Sequence, residues 1–129
     1  MKIVSYKNNL SKDKIALDAY NVSLNAKFNV DYDDVYNHLF SNSDAILKLL
    51  MDSDNLYGFG VFEKYNDMLY LSGMVIDPMY QGIKLSREII REAYDEVNAD
   101  LVSLRTQNIK MARSLIDTFE GRIISPWQA

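Results

Sequence analysis

The segment Val75-Ile76-Asp77-Pro78-Met79-Tyr80-Gln81-Gly82-Ile83-Lys84-Leu85-Ser86-Arg87 changes its period in the middle. An apolar run ends at Asp77-Pro78, where proline has no N–H to continue a strand ladder. From Ile83 the apolar residues Leu85, Ile89, Ile90, Ala93, Tyr94 and Val97 recur at helical spacing. The segment therefore predicts a strand, a short turn and a helix over Ile83–Val97. The first turn of a helix ordinarily favours Asp or Glu, because its N–H groups carry about half a positive charge. Here that turn holds Lys84 and Arg87, and acids begin only at Glu88. A positive helix start beside a glycine is the arrangement that aims backbone N–H groups at a phosphate. The residues leave a second reading open, in which Lys84 and Arg87 are solvated surface charges and Gly82 only makes the turn.

Upstream, Ala45–Met51, Leu56–Glu63 and Met68–Ile76 have strand character. Asp52-Ser53-Asp54-Asn55 and Lys64-Tyr65-Asn66-Asp67 separate them, turn-forming and short enough for hairpins, so an antiparallel meander is expected. Before the meander, Ile3–Tyr6 reads as a short strand and Ser11 as an N-cap. A helix follows, with Ile15, Ala19, Val22 and Ala26 at helical spacing and Tyr20, Leu24 and Phe28 beside them. A second helix starts at Asp31, with Asp33 and Asp34 in its first turn and Val35, Tyr36, Leu39 and Phe40 as its buried face. Downstream, Leu101–Thr106 reads as a strand. Asn108 caps a last helix with Met111, Ala112, Leu115 and Phe119 inward, Gly121 follows it, and Ile123-Ile124 starts one more strand. This order is that of a mixed α/β domain, and Met68–Thr106, as strand–helix–strand, predicts a parallel pair with a right-handed crossover.

The chain has 129 residues, about one domain's worth, and 48% apolar with 25% charged residues is a globular composition. With no cysteine, disulfides, thiol nucleophiles and zinc ribbons are excluded. His38 is the only histidine, so any histidine-based metal centre or triad would hang on it. A net charge of −4 argues against nucleic acid as the main partner. No apolar run approaches the ~18 residues of a membrane span, which points to a cytoplasmic protein.

Gln81-Gly82-Ile83-Lys84-Leu85-Ser86 resembles the cofactor motif of the GNAT superfamily of acetyl-CoA-dependent N-acetyltransferases, Gln/Arg-x-x-Gly-x-Gly/Ala after a strand ending in an aliphatic pair. Gln81 matches its opening position. Lys84 stands at the first glycine of the motif and Ser86 at its final Gly or Ala. The order of elements resembles the GNAT order over most of the chain, and Asn108 with Ala112 and Leu115 is similar to the family's later Asn-x-x-Ala-x-x-Leu helix. The resemblance implies a mixed, mostly antiparallel sheet flanked by helices, with a parallel strand pair at the cofactor cleft, and residues 1–129 as a single acyltransferase domain with a short C-terminal end. It implies that the backbone of Met74, Val75 and Ile76 pairs with the pantetheine arm of acetyl-CoA, and that Asn108 reaches that arm. The amides of Gln81, Gly82, Ile83, Lys84, Leu85 and Ser86 would hold the pyrophosphate. The Lys84 side chain either impedes that approach or adds an ion pair to phosphate.

The implied activity is transfer of an acetyl group from acetyl-CoA to a primary amine of a small molecule or protein, without a metal. Ile116 occupies the position where many relatives carry a tyrosine acid, and Met68–Ser72 has no carboxylate base. Tyr70 and Ser72 alternate onto one strand face and could order a water, or simply pack. His38 would lie toward the acceptor side as a proton shuttle, or be structural. Glu63, near the far end of its strand, is expected away from the strand opening. Proximity and an oxyanion donor near Val75 can support acyl transfer without a dedicated base. The alternative is a non-catalytic module on this fold that binds CoA or a protein partner. A homodimer is one way to complete the acceptor wall, with Trp127 packing onto the partner.

Overall fold

Local capping sets the first two helices. The Ser11 hydroxyl accepts the Lys14 N–H at 3.3 Å, ahead of helix α1 (Lys12–Asn25). Asp31 does the same for Asp34 at 2.8 Å, ahead of α2 (Tyr32–Phe40). Helix α1 ends without a glycine. The Phe28 N–H bonds the Ser23 carbonyl and the Lys27 N–H bonds that of Leu24, a Schellman closure in which Lys27 takes φ 68°. The structure, a computed structural model, describes the chain apart from residues 8, 66–67, 81–82, 98–100, 105–122 and 125–129. For residues 83, 101–104 and 123–124 it describes the backbone.

Strand β1 (Lys2–Ser5) precedes α1, and β2 (Ile46–Asp52), β3 (Asn55–Tyr65) and β4 (Met68–Ile76) follow α2. A 3₁₀ turn, Pro78–Tyr80, leads into α3 (Ile83–Val97). Strands β5 (Leu101–Leu104) and β6 (Ile123–Ile124) complete the described elements. The sheet order is β1-β2-β3-β4-β5-β6. Pairing is antiparallel from β1 through β4 and parallel for β4–β5 and β5–β6. The β2–β3 hairpin closes over Ser53-Asp54, with Ser53 at φ 55°.

Alternation along the strands divides the core in two. Leu50, Phe62, Leu69, Leu71 and Ile76 pack under Ile89, Ile90, Ala93 and Tyr94 of α3. Leu47, Leu49, Leu56, Phe59 and Val61 pack under Ile15, Ala16, Ala19 and Val22 of α1 and Val35 and Leu39 of α2. The molecule is therefore three layers: α3, sheet, then α1 with α2. Leu24 and Phe28 take no part; they are exposed on the outer side of α1 and its end, because only the stripe through Ile15, Ala19 and Val22 meets the sheet. Lys48 is the one buried cation among the described residues. It lies on the α3 side, donating to Ser5 Oγ at 2.7 Å and pairing with Glu96 at 3.4 Å.

Candidate functional site

Helix α3 starts where the sequence places it, and its first turn holds no acid. The approach to it is pinned to the sheet. The Asp77 N–H donates to the Tyr57 carbonyl at 2.8 Å, Tyr80 N–H to the Asp77 carbonyl at 2.8 Å, and Met79 N–H to Asp77 Oδ1 at 3.0 Å. Asn25 of α1 donates to Asp77 Oδ2 at 3.2 Å, and the Tyr57 and Tyr80 rings meet edge-on at 5.0 Å. Within the first turn Lys84 is exposed and Leu85 half-buried, while the Ser86 side chain is buried. A helix beginning at Ile83 leaves its N–H groups without intrahelical acceptors as far as Leu85; the Ser86 amide is the first inside the ladder. Gln81, Gly82 and Asn108 lie outside the described residues.

Strand β4 carries an irregularity that the sequence did not announce. Its register with β3 runs Gly58↔Ile76 to Val61↔Gly73, then resumes at Phe62↔Leu71, so Ser72 is an extra residue in a β-bulge. The burial pattern records the same step. Leu69 and Leu71 face α3 on one side of the bulge, and Met74 and Ile76 face it on the other. The parallel register with β5 runs from Met68↔Leu101 to Leu71↔Leu104, the last described residue of β5. Beyond the bulge, alternation fixes where the amides point. Because Asp77 bonds Tyr57, the directly opposed Val75 amide is likewise turned toward β3, and those of Met74 and Ile76 face the other edge. Of the three positions expected to present backbone there, Val75 has its amide committed to the ladder.

The bulge also gathers the candidate proton-transfer groups. His38, in the last turn of α2, places Nε2 3.0 Å from Ser72 Oγ. Gly73 makes room for the ring: a Cβ there would lie 2.5 Å from His38 Cε1. Tyr70 stands two residues before Ser72, directly opposite Glu63 of β3. Glu63 accepts a hydrogen bond from Asn42, just past α2, at 3.2 Å and a short one from the Tyr65 hydroxyl. The Tyr65 and Tyr70 rings are 6.4 Å apart. That hydrogen bond to Glu63 is the largest cause holding the Tyr65 phenol above its ordinary range. Glu63 lies before the bulge, toward the β3–β4 turn. The end of α2 reaches down to it, and it shares the α2-side face with Tyr70 and Ser72. Among the described residues no cluster of three or more His, Cys, Asp or Glu is suited to a metal ion. Nor is any helix long and apolar enough to cross a membrane.

No protein-family model matches the sequence, and no curated protein is significantly similar to it. Solved structures are similar in fold. The ribosomal-protein-S18-alanine N-acetyltransferase from Escherichia coli superposes with a TM-score of 0.67 at 19% identity, over 91% of this chain and 74% of that one. A GNAT family acetyltransferase from Staphylococcus aureus does so with 0.64 at 12%, over 84% and 89%. The aminoglycoside 6′-N-acetyltransferase from Enterococcus faecium matches with 0.61 at 17% identity, over 76% of this chain. An aminoglycoside 6′-N-acetyltransferase complexed with coenzyme A matches with 0.58 at 18%, also over 76%. The chain spans 55% and 56% of the length of these last two. In the arrangement of its sheet and helices the chain is similar in fold to these acetyltransferases.

Proposed function

We propose that residues 1–129 act as one acyl-CoA-dependent N-acyltransferase that passes an acetyl group from acetyl-CoA to a primary amine. One observation carries the reading: a bulged strand leads, past a 3₁₀ turn at Pro78–Tyr80, toward a helix whose first turn has no carboxylate and an exposed lysine. Residues of this kind suit acetyl-CoA. A diphosphate needs unopposed N–H donors and positive charge, which the start of α3 supplies through Ile83, Lys84 and Leu85, with Gln81 and Gly82 assigned to the same turn. A pantetheine arm carries amides that pair with a strand edge, a role for Met74 and Ile76, and the resemblance extends that role to Asn108. The bound thioester supplies the activated acyl carbon. The chain orients it and lets the amine approach from the α2 side, where Asp33 and Asp34 favour a cationic acceptor. The coenzyme A complex of a structure with this fold supports the same ligand.

Calorimetry with acetyl-CoA and desulfo-CoA, followed by thiol release against a panel of primary amines, tests the reading. Binding of both ligands with release on some amine is the expected result. Lys84→Glu should weaken binding about tenfold or more, since it removes a charge-assisted contact and adds a like charge. Binding without release on any amine would favour a non-catalytic module, the reading that the exposed Lys84 at a position usually glycine supports. Absence of binding at millimolar acetyl-CoA would end both.

A further inference from the structure

Beyond the acyl-transfer reading, on which it rests, the geometry at the bulge assigns a path for the acceptor proton. We propose that His38 takes up, through the hydroxyl of Ser72, the proton an acceptor amine loses as it attacks the thioester, with Gly73 providing the space that seats the ring.

Three independent features of the structure meet at this point. The bulge makes Ser72 a residue of β4 without a β3 partner. His38 Nε2 lies at hydrogen-bond distance from its hydroxyl, 3.0 Å. Gly73 is the next residue, and any side chain there would occupy the ring's place, at 2.5 Å from Cε1 and 3.1 Å from Nε2. A histidine merely decorating a helix surface would need none of this. His38 is also exposed, so a proton it receives has a direct route to water.

The step balances as follows. The neutral amine nitrogen forms a bond to the acyl carbon. The carbon–sulfur bond breaks, and its electron pair leaves on sulfur as thiolate, which takes a proton from solvent. The proton shed by nitrogen passes to Ser72 Oγ as the serine proton passes to an unprotonated His38 Nε2, and the imidazolium then releases it to water. By helix spacing and strand register, the described titratable groups on the elements that meet here are Asp34 one turn earlier on α2, Asp44 after it, Glu63 and Tyr65 on β3, and Tyr70 on β4. Glu63, opposite Tyr70 and bonded to Asn42 just past α2, is the alternative acceptor, and the test must separate it from His38.

Because the chain has a single histidine, the imidazole C2–H resonance reports on His38 alone. The experiment measures that titration by NMR in the unliganded protein. It then follows kcat/KM for thiol release against pH in the wild type, His38→Gln, Ser72→Ala, Gly73→Ala and Glu63→Gln. In the wild type kcat/KM should rise with pH along a limb whose midpoint equals the NMR midpoint. That limb should vanish in His38→Gln and Ser72→Ala, with kcat/KM lowered about 100-fold at neutral pH, the usual scale of general-base loss. Gly73→Ala should behave like them and Glu63→Gln should keep the limb. Calorimetric affinity for acetyl-CoA should stay within about twofold in all four, showing folded protein. A limb that survives in His38→Gln, or a kinetic midpoint apart from the NMR midpoint, overturns the proposal. A limb lost only in Glu63→Gln overturns it in favour of the carboxylate. Failure of the wild type to bind acetyl-CoA is a separate result, which removes the acyl-transfer reading and this step with it.

Discussion

Gly60 and Gly73 lie on neighbouring strands, and the same substitution should cost stability at Gly60 and almost none at Gly73. A methyl group at Gly60 would sit 2.9 Å from Phe62 Cε2 and 3.0 Å from Ile89 Cγ2, and both side chains are fully buried under α3. Neither can move without displacing the core, and overpacking of this kind costs roughly 1–3 kcal/mol. Restricting the unfolded chain by replacing glycine with alanine returns about 0.4–1 kcal/mol. Gly60→Ala should therefore lose about 1–2 kcal/mol, a Tm decrease of about 4–7 °C for a chain of this length. At Gly73 the methyl meets only His38, whose ring stands at the surface and can swing into water. That sacrifices one hydrogen bond, about 1 kcal/mol, nearly offset by the same unfolded-state gain. Urea unfolding followed by circular dichroism should find Gly73→Ala close to wild type and Gly60→Ala clearly below it. If Gly73→Ala is the more destabilised of the two, the placement of His38 over Gly73 as a surface contact is wrong.

Ser11→Ala removes the hydroxyl that caps α1 and should cost about 1 kcal/mol in urea unfolding, with no change in acetyl-CoA affinity. Lys27→Gly should raise stability by about 1 kcal/mol, because Lys27 closes α1 at φ 68°, where a Cβ is penalised and glycine is not. The Tyr65 phenol is held up first by its hydrogen bond to Glu63, so its folded pKa exceeds the unfolded one. Its contribution to stability is then complete below the unfolded phenol pKa, near 10, and is lost as pH rises through the folded value. Ultraviolet titration of wild type minus Tyr65→Phe should show a phenol ionising above the ordinary range, and Glu63→Ala should lower its midpoint.

Features decided by neighbouring residues could be read from the sequence, and features decided by pairing could not. The Ser11 and Asp31 caps, the bounds of α3 and the short hairpin turns depend on chemistry within four residues. The acid-free first turn of α3 was equally plain, since it is a statement about which residues are absent. The end of α1 was hidden because Lys27 does a glycine's work in the left-handed region. The exposure of Leu24 and Phe28 was hidden because apolar spacing does not say which stripe meets a sheet. The bulge at Ser72 belongs to no residue's propensity; it exists only in the register against β3. The partner of Glu63 was hidden for the same reason, since Asn42 comes from beyond the end of another element.

That hidden bulge connects the fold to its chemistry. A regular β4 would alternate strictly, and with Leu69 and Leu71 under α3, Gly73 and Val75 would face α3 as well, while Ser72 and Met74 faced α2. The extra residue shifts the phase, so that Ser72 and Gly73 come successively to the α2 side while Met74 and Ile76 return to the α3 core. A hydroxyl and an empty position are thereby placed side by side under one helix, which is what seating an imidazole against that hydroxyl requires. The same shift leaves the core beneath α3 unbroken, since Met74 and Ile76 resume the apolar row that Leu71 leaves. An interruption of the ladder at one residue is thus compatible with a continuous core, and Ser72 can turn its hydroxyl to His38 because packing on the opposite face does not depend on it.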